Sequence, residues 1–222
     1  MTKLSGSRLI EFGHRLFPTM EYISIYSDLF GCGFYVWGET TKPPTPGEGV
    51  GFDSNLFPLQ FRLAPFGVFK AALHSMEIGA IEVRFDPKLP PPPGMVDSGA
   101  LRLKAVNEMF FNAALVVFYE RHRPWIHAKY GGNARDRDKW PETLRFAWVL
   151  RNAAAHHSGA LNITDKSLRP FVWHHLKFDH TDEGFKVLGG EAAGASAMSV
   201  ADVSIFLVEM SDELDRLGCP QM

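Results

Sequence analysis

Leu150-Arg151-Asn152-Ala153-Ala154-Ala155-His156-His157-Ser158-Gly159 sets an arginine and an asparagine ahead of a histidine pair, in a run otherwise built from alanine and leucine. Upstream, Pro141 to Val149 reads as a helix with proline in its first turn. Gly159 is a natural C′ residue for that helix. The polar triplet therefore belongs on its last two turns. At about 100° per residue, Asn152 and His156 share one face and Arg151 occupies the neighbouring shoulder. His157 points about 100° away from His156, which leaves it a secondary candidate.

The R-N-x-x-x-H arrangement at a helix end, followed by His157-Ser158-Gly159 as H-x-G, resembles the signature of the HEPN superfamily (higher eukaryotes and prokaryotes nucleotide-binding). The matching residues are Arg151, Asn152 and His156, and the similarity extends over the last 130 residues or so. The resemblance implies a small helical domain that cuts or binds RNA. It also implies a homodimer in which two motif helices face one another. A toxin–antitoxin or phage-defence setting, with an antitoxin-type protein partner, is implied on the same basis. The expected fold is mainly α: a HEPN-like helical bundle with a small β-hairpin, plus an N-terminal segment of mixed structure.

Cutting RNA without a metal requires a base for the ribose 2′-hydroxyl, a cation for the phosphate and an acid for the leaving oxygen. His156 is the motif residue of a type that titrates near neutrality. Arg151 offers a planar donor fork that keeps its charge and suits a phosphate. Asn152, one turn before His156, can orient the ring or donate to the phosphate. A single motif histidine per chain is awkward for acid–base chemistry, and a two-fold dimer would supply a second. Each residue also has a plainer role: Arg151 paired with an acidic side chain, Asn152 bonded to a loop, His156 capping carbonyls. The three alanines favour the functional reading, because they form helix cheaply and leave the polar groups sterically open. A non-catalytic RNA-binding or protein-interaction module of the same fold is the alternative to a metal-independent endoribonuclease.

A net charge of −2 provides no global attraction for nucleic acid, so any RNA contact must be local. His174, His175 and His180 cluster in sequence, as do His122 and His127, yet none has zinc-type spacing. If Phe171–Phe178 is a strand, His174 and His175 point to opposite faces. No metal or cofactor is expected. Cys32 and Cys219 match no redox or metal spacing, and a disulfide between them is left open. The N-terminus shows no signal-peptide pattern, and the longest apolar run, Ala113 to Tyr119, is too short to cross a bilayer. The expectation is a cytoplasmic protein without membrane contact.

The best boundary is the polyproline stretch Leu89–Gly94, which divides an accessory segment, 1–94, from a helical domain, 95–222. In the first part, Gly31-Cys32-Gly33 reads as a break before strand-like Phe34–Trp37. Thr41–Gly49 reads as a loop, Phe66–Glu77 as a buried helix and Ile81–Phe85 as a short strand. In the second part, an N-cap at Asp97-Ser98-Gly99 opens a long helix to about Arg121. Its predicted buried stripe is Leu103, Val106, Phe110, Ala113, Val117 and Tyr119, and its broad greasiness suits a central helix or a subunit contact. Glu120 to Pro124 is expected to end it with positive charge, which solvation of the helix end explains first and contact with phosphates second. Phe171–Phe178 and Phe185–Leu188 suggest a hairpin turning at Asp182-Glu183-Gly184. Small residues link it, over Gly189–Ser196, to a final helix from Ser199 that Gly218 stops.

Overall fold

The computed structural model describes residues 6–36, 50–63, 77–88, 103–188 and 197–221. The readings placed on 41–49, 66–76, 89–94, 97–99 and 189–196 lie outside them. By compactness the chain divides into one unit of Met1–Pro92 with Gln221–Met222 and another spanning Pro93–Pro220. The expectation of a mainly α chain is corrected. Six strands accompany four α-helices among the described residues, and the first unit is built on a four-stranded antiparallel sheet.

That sheet contains β1 (Gly6–Glu11), β2 (Val50–Asp53), β3 (Leu59–Leu63) and β4 (Ala80–Pro87), in the order β1-β4-β3-β2. The alternation in β4 buries Ile81, Val83 and Phe85 and turns Glu82 and Arg84 outward. Its register sets Ile81 opposite Ile10, Val83 opposite Leu63 and Phe85 opposite Phe61, so one face is continuous hydrocarbon. A slip of one residue would expose that whole set. Helix α1 (Phe17–Val36) buries Phe17, Met20, Ile23, Ser24 and Ser27 on one side. It runs through Gly31-Cys32-Gly33 and Phe34–Val36, where a break and a strand were expected. Helix propensity is a weak prior that tertiary context overrides.

The second unit contains α2 (Leu103–Tyr130), a 3-10 turn (Ala134–Lys139), α3 (Glu142–His156), a two-stranded hairpin of β5 (Phe171–Trp173) and β6 (Leu176–Phe178), and α4 (Val200–Arg216). Phe146 of α3 is fully buried, with ring centroids 5.7 Å from Trp173, 5.9 Å from Phe178 and 5.6 Å from Phe206. One side chain thus joins three elements. Helix α4 begins at Ser199, whose hydroxyl accepts from the Asp202 amide while the Asp202 carboxylate accepts from the Ser199 amide. This reciprocal cap satisfies two otherwise orphaned donors. Ile205 and Val208 are buried beside Val203, Phe206, Leu207 and Met210, making α4 the central rod of the unit.

Helix α2 departs from expectation twice. It continues through Pro124 to Tyr130 rather than stopping near Arg121. A proline inside a helix costs about 3 kcal/mol, and the burial of Ile126 beyond it favours continuation. The buried stripe is also rotated, to Glu108, Phe111, Leu115, Phe118, Tyr119, His122 and Ile126. Met109, Val117 and Val106 of the expected neighbourhood are exposed instead. His122, expected at a solvated helix end, is buried with Nδ1 2.8 Å from the Phe118 carbonyl oxygen. The hairpin is corrected too: it turns at His174-His175, with His174 at φ 50°, and a 3-10 turn occupies His180–Asp182.

Helix α3 ends as its sequence requires, though with two left-handed residues. Ser158 (φ 51°) and Gly159 (φ 85°) curl the chain so that the Gly159 amide donates to the Ala153 carbonyl at 2.8 Å. The Gly159 carbonyl in turn accepts from the amides of Val187 and Leu188, each at 3.0 Å. A Cβ on Gly159 would lie 1.9 Å from the Leu188 carbonyl oxygen. Gly159→Ala is therefore expected to cost at least about 1–3 kcal/mol from backbone strain, before the clash is relieved. Urea denaturation of the variant checks this; an unchanged midpoint would contradict it.

Among the described residues no helix is long and apolar enough to cross a membrane, and no group of three histidine, cysteine or carboxylate side chains could hold a metal. Cys219 is buried, with Sγ 3.7 Å from the Pro220 carbonyl oxygen.

Candidate functional site

Two helices supply most of the site, each through a four-residue repeat. Tyr119, Arg123 and His127 of α2, and Trp148, Asn152 and His156 of α3, recur at the spacing that aligns side chains along one helix face. Together with Arg137, Arg151 and His157 they line a pocket of about 360 Å³. A volume near 300 Å³ and above is the range of small-ligand sites.

Arg151, Asn152 and His156 come together there. Arg151 Nη1 donates to Asn152 Oδ1 at 2.9 Å and lies 2.9 Å from His156 Nε2. A guanidinium can only donate, so His156 Nε2 carries the lone pair in this arrangement and the ring proton sits on Nδ1. Arg151 Nε donates to Glu120 Oε1 at 2.5 Å, and Nη2 pairs with the same carboxylate. The plainer role foreseen for Arg151, pairing with an acid, is thus realised alongside its contact with His156. The other oxygen of Glu120 meets Arg123 Nη1 at 2.9 Å. One carboxylate braces two arginines, and Arg137 adds a third guanidinium. The pocket is locally cationic although the chain is not.

His156 is exposed and Arg151 and Asn152 are half-buried, so none of the three is enclosed by hydrocarbon. Ala153 is fully buried and acts as a core spacer, whereas Ala155 is exposed. His157 caps the helix and its Nε2 lies 2.8 Å from Asn162 Nδ2, which holds the ring at the pocket margin. His174 and His175 do not belong to the site; His174 Nε2 pairs with Glu209 at 2.9 Å.

Four lining residues escaped sequence reading: Tyr119, His127, Arg137 and Trp148; Arg123 was foreseen only within a helix-end cluster able to touch phosphates. Ending α2 near Arg121 hid the face that Tyr119, Arg123 and His127 share, because it exists only if the helix passes Pro124. His127 packs against Trp140 with centroids 5.6 Å apart. Its pKa lies below the ordinary histidine value, through burial first and then the charges of Arg123 and Arg137, opposed by Glu120. A neutral imidazole at neutral pH follows. Removing one of those charges with Arg137→Met should move the His127 titration upward, as read from its ring resonances by NMR; no shift would refute the proximity of the two groups.

Arg145 holds the frame around the site. Its buried guanidinium donates to the Pro170 carbonyl at 3.0 Å, the Arg169 carbonyl at 2.6 Å and Asp138 Oδ1 at 3.1 Å. It ties α3 to the segment entering β5 and to the 3-10 turn that carries Arg137.

No protein-family model, curated protein or solved structure matches the chain.

Proposed function

We propose that the second unit is a metal-independent endoribonuclease. The observation that supports this most is the convergence of Arg151, Asn152 and His156 in an accessible cationic pocket, with Arg151 Nη1 2.9 Å from His156 Nε2. Arg151 contacts the scissile phosphate, Asn152 orients the guanidinium, and His156 exchanges a proton with the ribose or the leaving group. In the balanced reaction the 2′-oxygen loses its proton to a base and bonds phosphorus. The P–O5′ bond breaks, and the 5′-oxygen takes a proton from an acid, leaving a 2′,3′-cyclic phosphate. His127 and His156 line one pocket, so one chain holds two imidazoles for these two transfers.

A homodimer is part of the proposal, and it rests on the exposed apolar strip of α2 rather than on a need for a second histidine. Met109 is 68%, Val117 50% and Val106 41% exposed, and their spacing places them on one side of the helix. Scattered exposed hydrophobics are normal, whereas a contiguous strip marks an interaction surface. Met109→Asp should convert a dimer to a monomer on a sizing column; a wild-type monomer removes this element. The toxin–antitoxin setting and an antitoxin-type partner rest on the sequence resemblance alone.

The test is incubation of the protein with structured RNA in excess chelator, beside His156→Ala. Cleavage confined to the unmodified protein supports the enzyme, and equal cleavage in both defeats it. Salt-sensitive binding with no cleavage favours the non-catalytic RNA-binding reading. One observation favours that alternative: Glu120 already engages two of the three guanidinium nitrogens of Arg151.

A further inference from the structure

Two donors in the pocket lack acceptors. The Tyr119 side chain is buried, at 1% exposure, and its hydroxyl has no hydrogen-bond partner among the described residues. Arg137 Nε is also buried and without a hydrogen-bond partner among the described residues, and the Asp165 carboxylate acts on this guanidinium only through space. Its Cζ instead sits 3.9 Å from the centre of the Trp148 ring. The other arginines around the site have carboxylate or carbonyl partners, although Arg145 Nε is likewise buried without one among the described residues. Arg151 and Arg123 share Glu120, and Arg145 has two carbonyls and Asp138.

A buried hydroxyl without an acceptor is costly, and so is a partly desolvated guanidinium whose Nε meets no acceptor. Burial holds the Arg137 pKa below, and the Tyr119 pKa above, their ordinary values, which records this desolvation. Both penalties fall when an oxyanion enters the pocket and the two side chains turn from their buried positions to donate to it. The Trp148 face keeps the guanidinium plane oriented for such a bidentate contact. Among the described residues neither donor has an acceptor.

We propose that Tyr119 and Arg137 form a second anion subsite, which holds the phosphate next along the RNA strand from the one at Arg151. The proposal rests on reading Arg151 as the contact for the scissile phosphate. It assigns to the pocket a ligand with at least two phosphates, and so makes a phosphate adjacent to the cut a determinant of substrate choice.

Binding separates this from cleavage. The probes are 2′-O-methyl uridine dinucleotides, which cannot be cut because the nucleophile is blocked: one without terminal phosphate, one phosphorylated at the 5′ end and one at the 3′ end. The protein should bind one phosphorylated form about tenfold more tightly than the plain dinucleotide, the gain expected of one charge-assisted pair. The end that confers the gain tells on which side of the cut the subsite lies. Arg137→Met should abolish the difference in affinity between the phosphorylated form and the plain dinucleotide, whatever it does to the affinity of the latter. Tyr119→Phe should reduce the gain and leave the thermal midpoint unchanged or raised, since it removes an unsatisfied group. Arg151→Met should weaken all three probes alike. Equal binding of the three by the unmodified protein, a gain that survives both variants, or no binding at all overturns the subsite. A gain that persists in a protein that never cuts RNA keeps the subsite and sinks only the nuclease. Unaltered binding of the plain dinucleotide by Arg151→Met sinks the role of Arg151 instead.

Discussion

Replacing His156 by alanine is expected to slow RNA cleavage by roughly 10²–10⁴-fold, the contribution of one positioned acid or base. The side chain is exposed and lies at the end of α3, so its loss should leave the fold intact; surface changes of this kind alter stability by no more than about 0.5 kcal/mol. The activity loss would therefore report chemistry. Arg151→Lys separates a second component, because it keeps the charge but not the planar fork that engages Glu120 and His156 together. The pH profile provides a further check. If His127 is the base, acid inactivates the protein by protonating it. Since burial and the charges of Arg123 and Arg137 lower its pKa, that loss should begin only below the ordinary histidine range. Arg137→Met would raise the pKa and carry the acidic limb to higher pH. Cleavage by His156→Ala at the unmodified rate would remove His156 from the chemistry.

Replacing Phe146 by alanine is expected to destabilise the second unit by about 3–5 kcal/mol, the range for deleting a buried phenyl ring. The ring touches Trp173 of β5, Phe178 of β6 and Phe206 of α4, so three elements border the cavity that its removal leaves. The cost falls toward the lower end only if those neighbours can collapse together. Urea unfolding followed by tryptophan fluorescence reads this out, because Trp173 lies against the ring. A midpoint shift equivalent to less than about 1 kcal/mol would mean that Phe146 is not the hub of this core.

Part of the site was readable from the residue order alone. Pro141, the helical spacing and Gly159 confine Arg151, Asn152 and His156 to the tail of one helix, and local rules suffice for that because capping and i, i+4 proximity involve only near neighbours. The reciprocal Ser199–Asp202 cap and the alternation over Ile81–Phe85 are local in the same sense. The four-stranded sheet was not readable. Of β1 only Ile10 is buried, and β2 has four residues, so neither carries an alternating pattern from which a strand follows. Pairing with the well-patterned β4 and with β3 makes them strands.

By itself the sequence determined where the motif helix begins and ends and which polar groups share its face, since those depend on contacts within a few residues. Tertiary structure alone decided that the chain is mixed α/β, that α2 passes through Pro124 and which of its sides is buried. It also decided that Tyr119, Arg123, His127 and Arg137 meet the motif residues in one pocket. The physical reason is common to all of these. A local penalty, such as a proline in a helix or a hydroxyl without an acceptor, is small beside the burial free energy of a whole unit, and that sum is visible only when distant segments are in contact.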